Sequence, residues 1–185
     1  MEEEAFSTAL THARAGDEDA FAQLYRMVQP GLLRYLRGMA LDAAEDVAAD
    51  AWVEVVRGLE GFSGPAQGFT AWVFTIARRK AIDRSRYEGR RLTSTLPENE
   101  NLGPRLPDVA ELVEQAQATE AALAMVRSLP PDQAEVILLR VVAGLEIAQV
   151  AEMMGRSNGA IRVLTHRGLQ RLGTTLAARA VQSQV

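Results

Sequence analysis

Arg162, Val163, His166 and Gln170 recur at the spacing that sets side chains along one face of an α-helix. A guanidinium, an imidazole and a carboxamide in such a row can hydrogen-bond to base edges, and a valine methyl can touch the methyl group of thymine. Arg167 and Thr165 flank the row, while Ile161, Leu164, Gly168 and Leu172 form an inward stripe opposite it. The elements that must position these groups lie in residues 144–172, GLEIAQVAEMMGRSNGAIRVLTHRGLQRL. Ile147, Val150, Ala151 and Met154 mark the buried face of a short first helix. Gly155 permits the conformation that ends it, and Ser157 or Asn158 can cap the second. This is the layout of a helix-turn-helix, whose second helix enters the major groove. The competing reading is a helical hairpin that only packs. Gly159 and Ala160 argue against it, because small residues let a helix N-terminus approach a phosphate closely.

A second group of reactive side chains crowds residues 78–91, where Arg78, Arg79, Lys80, Arg84, Arg86, Arg90 and Arg91 are interrupted only by Asp83 and Glu88. Either this is a solvated basic helix end or it grips phosphates. A third group is acidic: Glu45, Asp46, Asp50 and Glu54 share one side of a helix whose other side carries Val47, Ala51, Trp52, Val55 and Leu59. On composition alone that side reads as a solvated face. Neither group has the spacing of a catalytic site. The chain has no cysteine, and its two histidines, His12 and His166, lie far apart. A disulfide framework, a thiolate metal site, a cysteine nucleophile and a histidine metal pair are therefore all excluded from the reading. No metal and no cofactor are expected.

The chain is 185 residues long, 48% hydrophobic, only 5% aromatic, and carries a formal net charge of −4. That composition suits packed helices in one domain or two small ones. The start, MEEEAFSTAL, lacks the basic and apolar segments of a signal peptide, and no apolar run is long enough to cross a bilayer. A soluble, cytoplasmic protein without membrane insertion is expected. The acidic balance is unlike that of a protein that holds DNA by diffuse charge alone. Two separate basic elements on an acidic chain point to a protein partner that supplies part of the affinity.

Asp17 is read as the N-cap of a long helix towards Gly38, with Phe21, Leu24, Tyr25 and Val28 on one face and a kink or break at Pro30 and Gly31. Asp42 is read as the cap of a third helix ending near Gly58. A flexible loop occupies residues 61–68, and a helix is expected from about Phe69 to Tyr87, with Phe69, Trp72, Val73 and Ile76 on its inner side. Residues 92–110 hold Pro97, Pro104 and Pro107 among acids, with no periodicity, and read as a linker. Further helices are expected over 111–129 and 131–143, with Pro131 at a first-turn position. The fold class is all-α: two small helical domains joined by a flexible acidic linker, with residues 177–185 as a short tail.

Three blocks in order carry a family resemblance: DAAEDVAADAWVEVVRGLEGF at 42–62, GFTAWVFTIARRKAIDRSRYEGRR at 68–91, and LPPDQAEVILLRVVAGLEIAQVAEMMGRSNGAIRVLTHRGLQRL at 129–172. Together they resemble the extracytoplasmic-function (group 4) sigma factors of the bacterial sigma-70 family, across nearly the whole chain. The resemblance implies region 2 over 1–91, a linker over 92–110 and region 4 over 111–185. It implies docking on core RNA polymerase through Asp42, Glu45, Asp46, Asp50 and Glu54, against the β′ coiled coil, with the β flap as a second contact. Ser63, Gln67, Arg78, Arg79, Lys80, Asp83 and Arg86 would act at the −10 promoter element, and the loop at 62–68 would accept a base drawn from the stack. Ser157, Asn158, Gly159, Arg162, Val163, His166, Arg167 and Gln170 would face the −35 element. This chain departs from the common family wording at Val163, Leu164 and Thr165, which shifts the buried stripe onto Leu164. The linker acids would be either a passive tether or a strand threaded towards the polymerase active centre. An anti-sigma factor is a further partner that the resemblance suggests.

The function implied is promoter-directed transcription initiation as a non-catalytic polymerase subunit. The alternative is a stand-alone helix-turn-helix regulator with an N-terminal sensing domain. The arginines of 68–91 beside a flexible loop weigh against it, since a sensor has no need of them. An enzyme lacks any activated nucleophile or phosphate-cradling loop in this sequence.

Overall fold

A computed structural model describes the backbone of residues 2–39, 43–91 and 110–182, and side chains over 4–39, 43–87 and 115–178. Asp42 and residues 92–109 of the expected linker, with their acids, lie outside the described residues, and Ala110 already belongs to the next helix. All regular structure among the described residues is helical: α1 (Glu2–Arg14), α2 (Glu18–Gly38), α3 (Ala44–Gly58), α4 (Ala66–Arg91), α5 (Ala110–Arg127), α6 (Pro131–Ile137), a π-helical turn (Leu138–Val142), α7 (Ile147–Met154) and α8 (Asn158–Gln182).

α2 begins where its cap requires, with the Asp17 carboxylate accepting the Ala20 N–H at 3.0 Å. Its expected break is absent. α2 runs unbroken through the exposed Pro30, because Leu24, Val28, Leu32, Tyr35 and Leu36 hold one buried face on both sides of it. A proline removes one ladder hydrogen bond, and continuous burial of that face outweighs the loss. α3 has Ala43 at its N-cap, with no side chain bonded there, rather than the Asp42 cap that was expected. α4 starts three residues before Phe69 and continues past Tyr87, so the expected loop shrinks to the turn ahead of Ala66. That shortening follows from ring packing. Phe62 lies 5.7 Å from Phe69 and 4.9 Å from Trp72, centroid to centroid, and draws the turn onto the first two helical turns of α4. α1 has no counterpart in the sequence reading. It packs on α2 through Ala9, Leu10 and Ala13, and Phe6 meets Phe69 edge-on at 5.9 Å.

The helix expected over 131–143 divides. Pro131 occupies the first helical position, but the segment Leu138–Val142 widens into a π turn, and Ala143 N–H donates to Leu138 O at 2.9 Å. Gly144, with φ of +68°, then reverses the chain into α7. α8 runs to Gln182, so most of the expected tail is helix.

In the described residues the helices before and after the linker also pack against one another. One continuous buried cluster runs from Leu24 and Phe74 to Leu138, Leu139 and Ile161. α2 packs against both α5 and the π turn, and α4 meets α7. Gly38 faces Leu138, where an added β-carbon would come well inside van der Waals contact with the leucine methyls.

Candidate nucleic-acid and polymerase interfaces

The helix-turn-helix is built as its sequence requires. Glu146 N–H donates to Gln149 Oε1 at 2.8 Å at the start of α7. Gly155 ends α7 in the left-handed region, at φ +63°, and Arg156 N–H returns to Ala151 O at 2.9 Å. Ser157, not Asn158, supplies the cap of α8, its Oγ accepting the Ala160 N–H at 3.2 Å. Ile161 is fully buried and Gly168 is buried against α6, where a β-carbon would come within 2.9 Å of Ile137 Cγ1. Leu164 and Leu172 are half-buried. These contacts fix the rotation of α8 about its axis. In that rotation Ser157, Asn158, Gly159, Arg162, Val163, His166, Arg167 and Gln170 are all exposed. Thr165 is half-buried and spends its hydroxyl on Ile161 O at 2.8 Å.

The acidic face of α3 divides in two. Asp46 and Asp50 are exposed and make no ion pair among the described residues. Glu45 accepts Arg37 Nε at 3.1 Å, and this pairing holds its carboxyl below the ordinary carboxylate range. Glu54 takes both Arg79 and Lys80, the latter at 3.1 Å, and their hydrogen bonds likewise lower its pKa. Exposed Val53 and Val56 lie on the same helix and add apolar surface beside the acids.

On α4, Ser63 in the preceding turn and Gln67 in the first helical turn are exposed, as are Asp83 and Arg86. Gln67 also presents its carbonyl to Gln149 Nε2 at 3.1 Å. Arg79 and Lys80 reach α3, as above. Arg78 turns the other way. Its Nε and Nη2 meet Glu135 Oε1 and Oε2 at 2.6 and 3.3 Å, and Nη1 donates to Met153 O at 3.3 Å. Glu135 is only 8% exposed and also accepts the hydroxyl of fully buried Tyr35 at 3.4 Å. Burial, reinforced by the adjacent Glu135, drives the Tyr35 hydroxyl pKa upward, and the hydrogen bonds to Glu135 raise that of Arg78. Sequence reasoning missed Tyr35 and Glu135 entirely. The one signal was a carboxylate inside the otherwise apolar run AEVILL at 134–139.

The family model for sigma-70 region 2 matches residues 24–91, and that for sigma-70 region 4 matches residues 119–172. The ECF RNA polymerase sigma factor ShbA of Streptomyces griseus is 35% identical over 175 residues, 89% of this chain and 92% of that protein. The chain belongs to the ECF RNA polymerase sigma factors. BldN of Streptomyces coelicolor is 33% identical over 168 residues, covering 89% of this chain and 63% of its own length; SigD of Mycobacterium tuberculosis is 29% identical over 189 residues, covering 96% and 87%. The fold matches CnrH, solved in complex with the cytosolic domain of CnrY, with a TM-score of 0.65 at 23% identity, covering 94% of this chain and 98% of that one. It also matches Bartonella quintana RpoE, solved with the anti-sigma factor NepR, with a TM-score of 0.63 at 24% identity over 85% and 96%. As a sigma factor the chain is a transcription-initiation subunit that binds RNA polymerase and DNA. Among the described residues no helix is long and apolar enough to cross a membrane.

Proposed function

We propose that this sigma factor directs core polymerase to promoters through three separate surfaces. Region 2, taken as 1–91, docks on the β′ coiled coil through the α3 acids Asp46 and Asp50, with Glu45 and Glu54 available once their internal partners are drawn away; complementary charge steers such encounters. Ser63, Gln67, Arg78, Arg79, Lys80, Asp83 and Arg86 act at the −10 element. Region 4, taken as 111–185, reads the −35 element through the exposed row of α8 and contacts the β flap. The linker 92–110 spans the two. The protein works in the cytoplasm, contributes no catalytic group of its own, and is a partner for an anti-sigma factor, as RpoE is for NepR.

The observation that supports this best is the rotation of α8. Ile161 and Gly168 turn inward, and Arg162, Val163 and His166 turn out together on a complete helix-turn-helix. Run-off transcription with core polymerase on a promoter library tests it. The expected result is sigma-dependent transcripts from templates sharing two elements. Sequence-specific repression or activation without any core-dependent initiation would overturn it in favour of a stand-alone regulator.

A further inference from the structure

Val163 is 49% exposed on the second turn of α8, in the middle of the row that Arg162, His166 and Gln170 complete. The core has no use for it, because buried Ile161 and half-buried Leu164 make the inward contacts of this turn. A β-branched side chain also lowers helix propensity slightly. Elsewhere on the surface a lone valine would need no explanation. Here it interrupts a polar row, in surroundings that suit nucleic acid. No aspartate or glutamate occurs from Met153 to Val185, and Arg162, His166 and Arg167 stand exposed around the valine. Such a ring of donors fits a polyanion better than an apolar protein surface.

The neighbours of Val163 on the helix give it a shape as well as a setting. Helical side chains lean towards the N-terminus, so Val163 lies over residues 159 and 160. Gly159 has no side chain and Ala160 has only a methyl group. A β-carbon added at Gly159 would meet nothing nearer than Ser157 Oγ, at 3.9 Å. The valine methyls therefore wall one side of an open notch floored by backbone. Valine keeps essentially one χ1 rotamer in a helix, so the wall is fixed in place.

Thymine is the one base that carries a methyl group in the major groove. Seated in the notch, that methyl exchanges water for valine carbon. Cytosine in the same place would bring its N4 amino group towards the valine methyls, and a donor left there without a partner is costly. We infer that Val163 is a specificity-determining residue of the −35 contact, selecting thymine at one position through its 5-methyl group. Arg162 and His166 supply hydrogen-bonded readout beside it. The inference rests on the proposed −35 role of α8, and it adds a requirement that hydrogen bonding alone does not impose: the position must carry a methyl group.

Replacing the −35 thymines one at a time by deoxyuridine tests this, because that change removes the methyl and keeps every hydrogen bond. Binding by holoenzyme is measured on each template. The expected result is a loss of about four-fold at one position, the factor for one buried methyl group, and little change elsewhere. Holoenzyme carrying Val163→Ala should bind the thymine and deoxyuridine templates equally at that position and keep its other −35 preferences. At the same position, 5-methylcytosine should bind better than cytosine with the parent protein and no better with Val163→Ala. The free Val163→Ala chain should melt no lower than the parent, which separates base selection from packing. A selected −35 element without thymine, or one in which no thymine responds to loss of its methyl, overturns the inference. If Arg162→Ala still alters −35 preference in that case, the −35 reading stands without it. Methyl sensitivity that persists in Val163→Ala also overturns it, since another residue then makes the contact. Equal binding to every −35 sequence removes the inference and the −35 reading together.

Discussion

Arg162 has the most to gain from the orientation that Ile161 and Gly168 impose on α8, since its guanidinium stands exposed in the middle of the reading row. A bidentate arginine contact to guanine is worth about 1–3 kcal/mol of discrimination. Arg162→Ala should therefore cost roughly ten-fold or more in promoter binding by holoenzyme, concentrated at one position of the −35 element in a mutant promoter library. Unchanged −35 preference with lost melting, seen by permanganate footprinting, would mean that the two DNA roles sit on the wrong domains. On α3 the residues divide by what they already hold. Reversing Asp46 and Asp50 to Arg should sharply reduce co-purification with core polymerase, while thermal stability falls only slightly, because an arginine in the first turn of a helix opposes its dipole by about 0.3–1 kcal/mol. Glu54 is different, as Arg79 and Lys80 engage it and hold its pKa below the usual carboxylate value. A lowered folded-state pKa adds stability above the ordinary carboxylate range and loses it as pH falls through the lowered value. The cluster remains accessible to solvent, so that contribution is small. Glu54→Gln should leave the neutral-pH melting temperature nearly unchanged and flatten the acid side of the stability profile. A loss of several degrees at neutral pH would show instead that the pair holds α3 to α4.

Gly168 shows at the scale of elements how a missing side chain sets a helix crossing. α8 lies so close to α6 that a β-carbon at this position would fall 2.9 Å from Ile137 Cγ1. Overpacking of this kind costs about 1–3 kcal/mol. Gly168→Ala should lower the melting temperature and weaken −35 binding together, because it rotates the reading row as well as straining the core. Reduced stability with an unaltered −35 profile would show that α8 can shift without turning. This glycine was legible beforehand as part of an inward stripe, and so were the cap at Asp17, the stop at Gly155 and, as one of two alternatives, the cap at Ser157. Each is a local rule satisfied by neighbours in sequence. The misses needed partners far along the chain. α2 survives Pro30 because Leu24, Leu32 and Tyr35 are buried on both sides of it, and α4 begins early because Phe62 folds back on Phe69 and Trp72. The π turn after Ile137 and the pairing of Arg78 with Glu135 depend on α2 and α4 as neighbours, and no periodicity records them. The exposed row on α8 was therefore readable from spacing, whereas the occupancy of the α4 arginines was not.

At the scale of the whole molecule, net charge and internal ion pairing act in the same direction. The chain carries −4 overall, and three of the basic groups on α4 are already engaged internally: Arg78 by Glu135, and Arg79 and Lys80 by Glu54. DNA affinity from phosphate neutralisation grows with the number of counterions released, so a protein with its cations internally paired starts at a disadvantage. Isolated protein should bind duplex promoter DNA no better than typical non-specific affinity, about 10⁻⁴–10⁻⁶ M at physiological salt. Holoenzyme should bind the same DNA orders of magnitude more tightly, because under the proposed docking polymerase engages Glu54 and releases Arg79 and Lys80. Within holoenzyme each α4 cation that reaches a phosphate should contribute about one unit to the slope of log affinity against log salt. Arg79→Ala or Arg86→Ala should lower that slope by about one across promoters of different sequence, and reduce open-complex formation uniformly. Titrations from low to physiological salt, on two promoters differing only at −35, distinguish this from base reading. A slope change confined to one promoter would assign the arginine to sequence readout. Tight sequence-specific binding by the free chain would remove the need for polymerase altogether and make the protein a regulator in its own right.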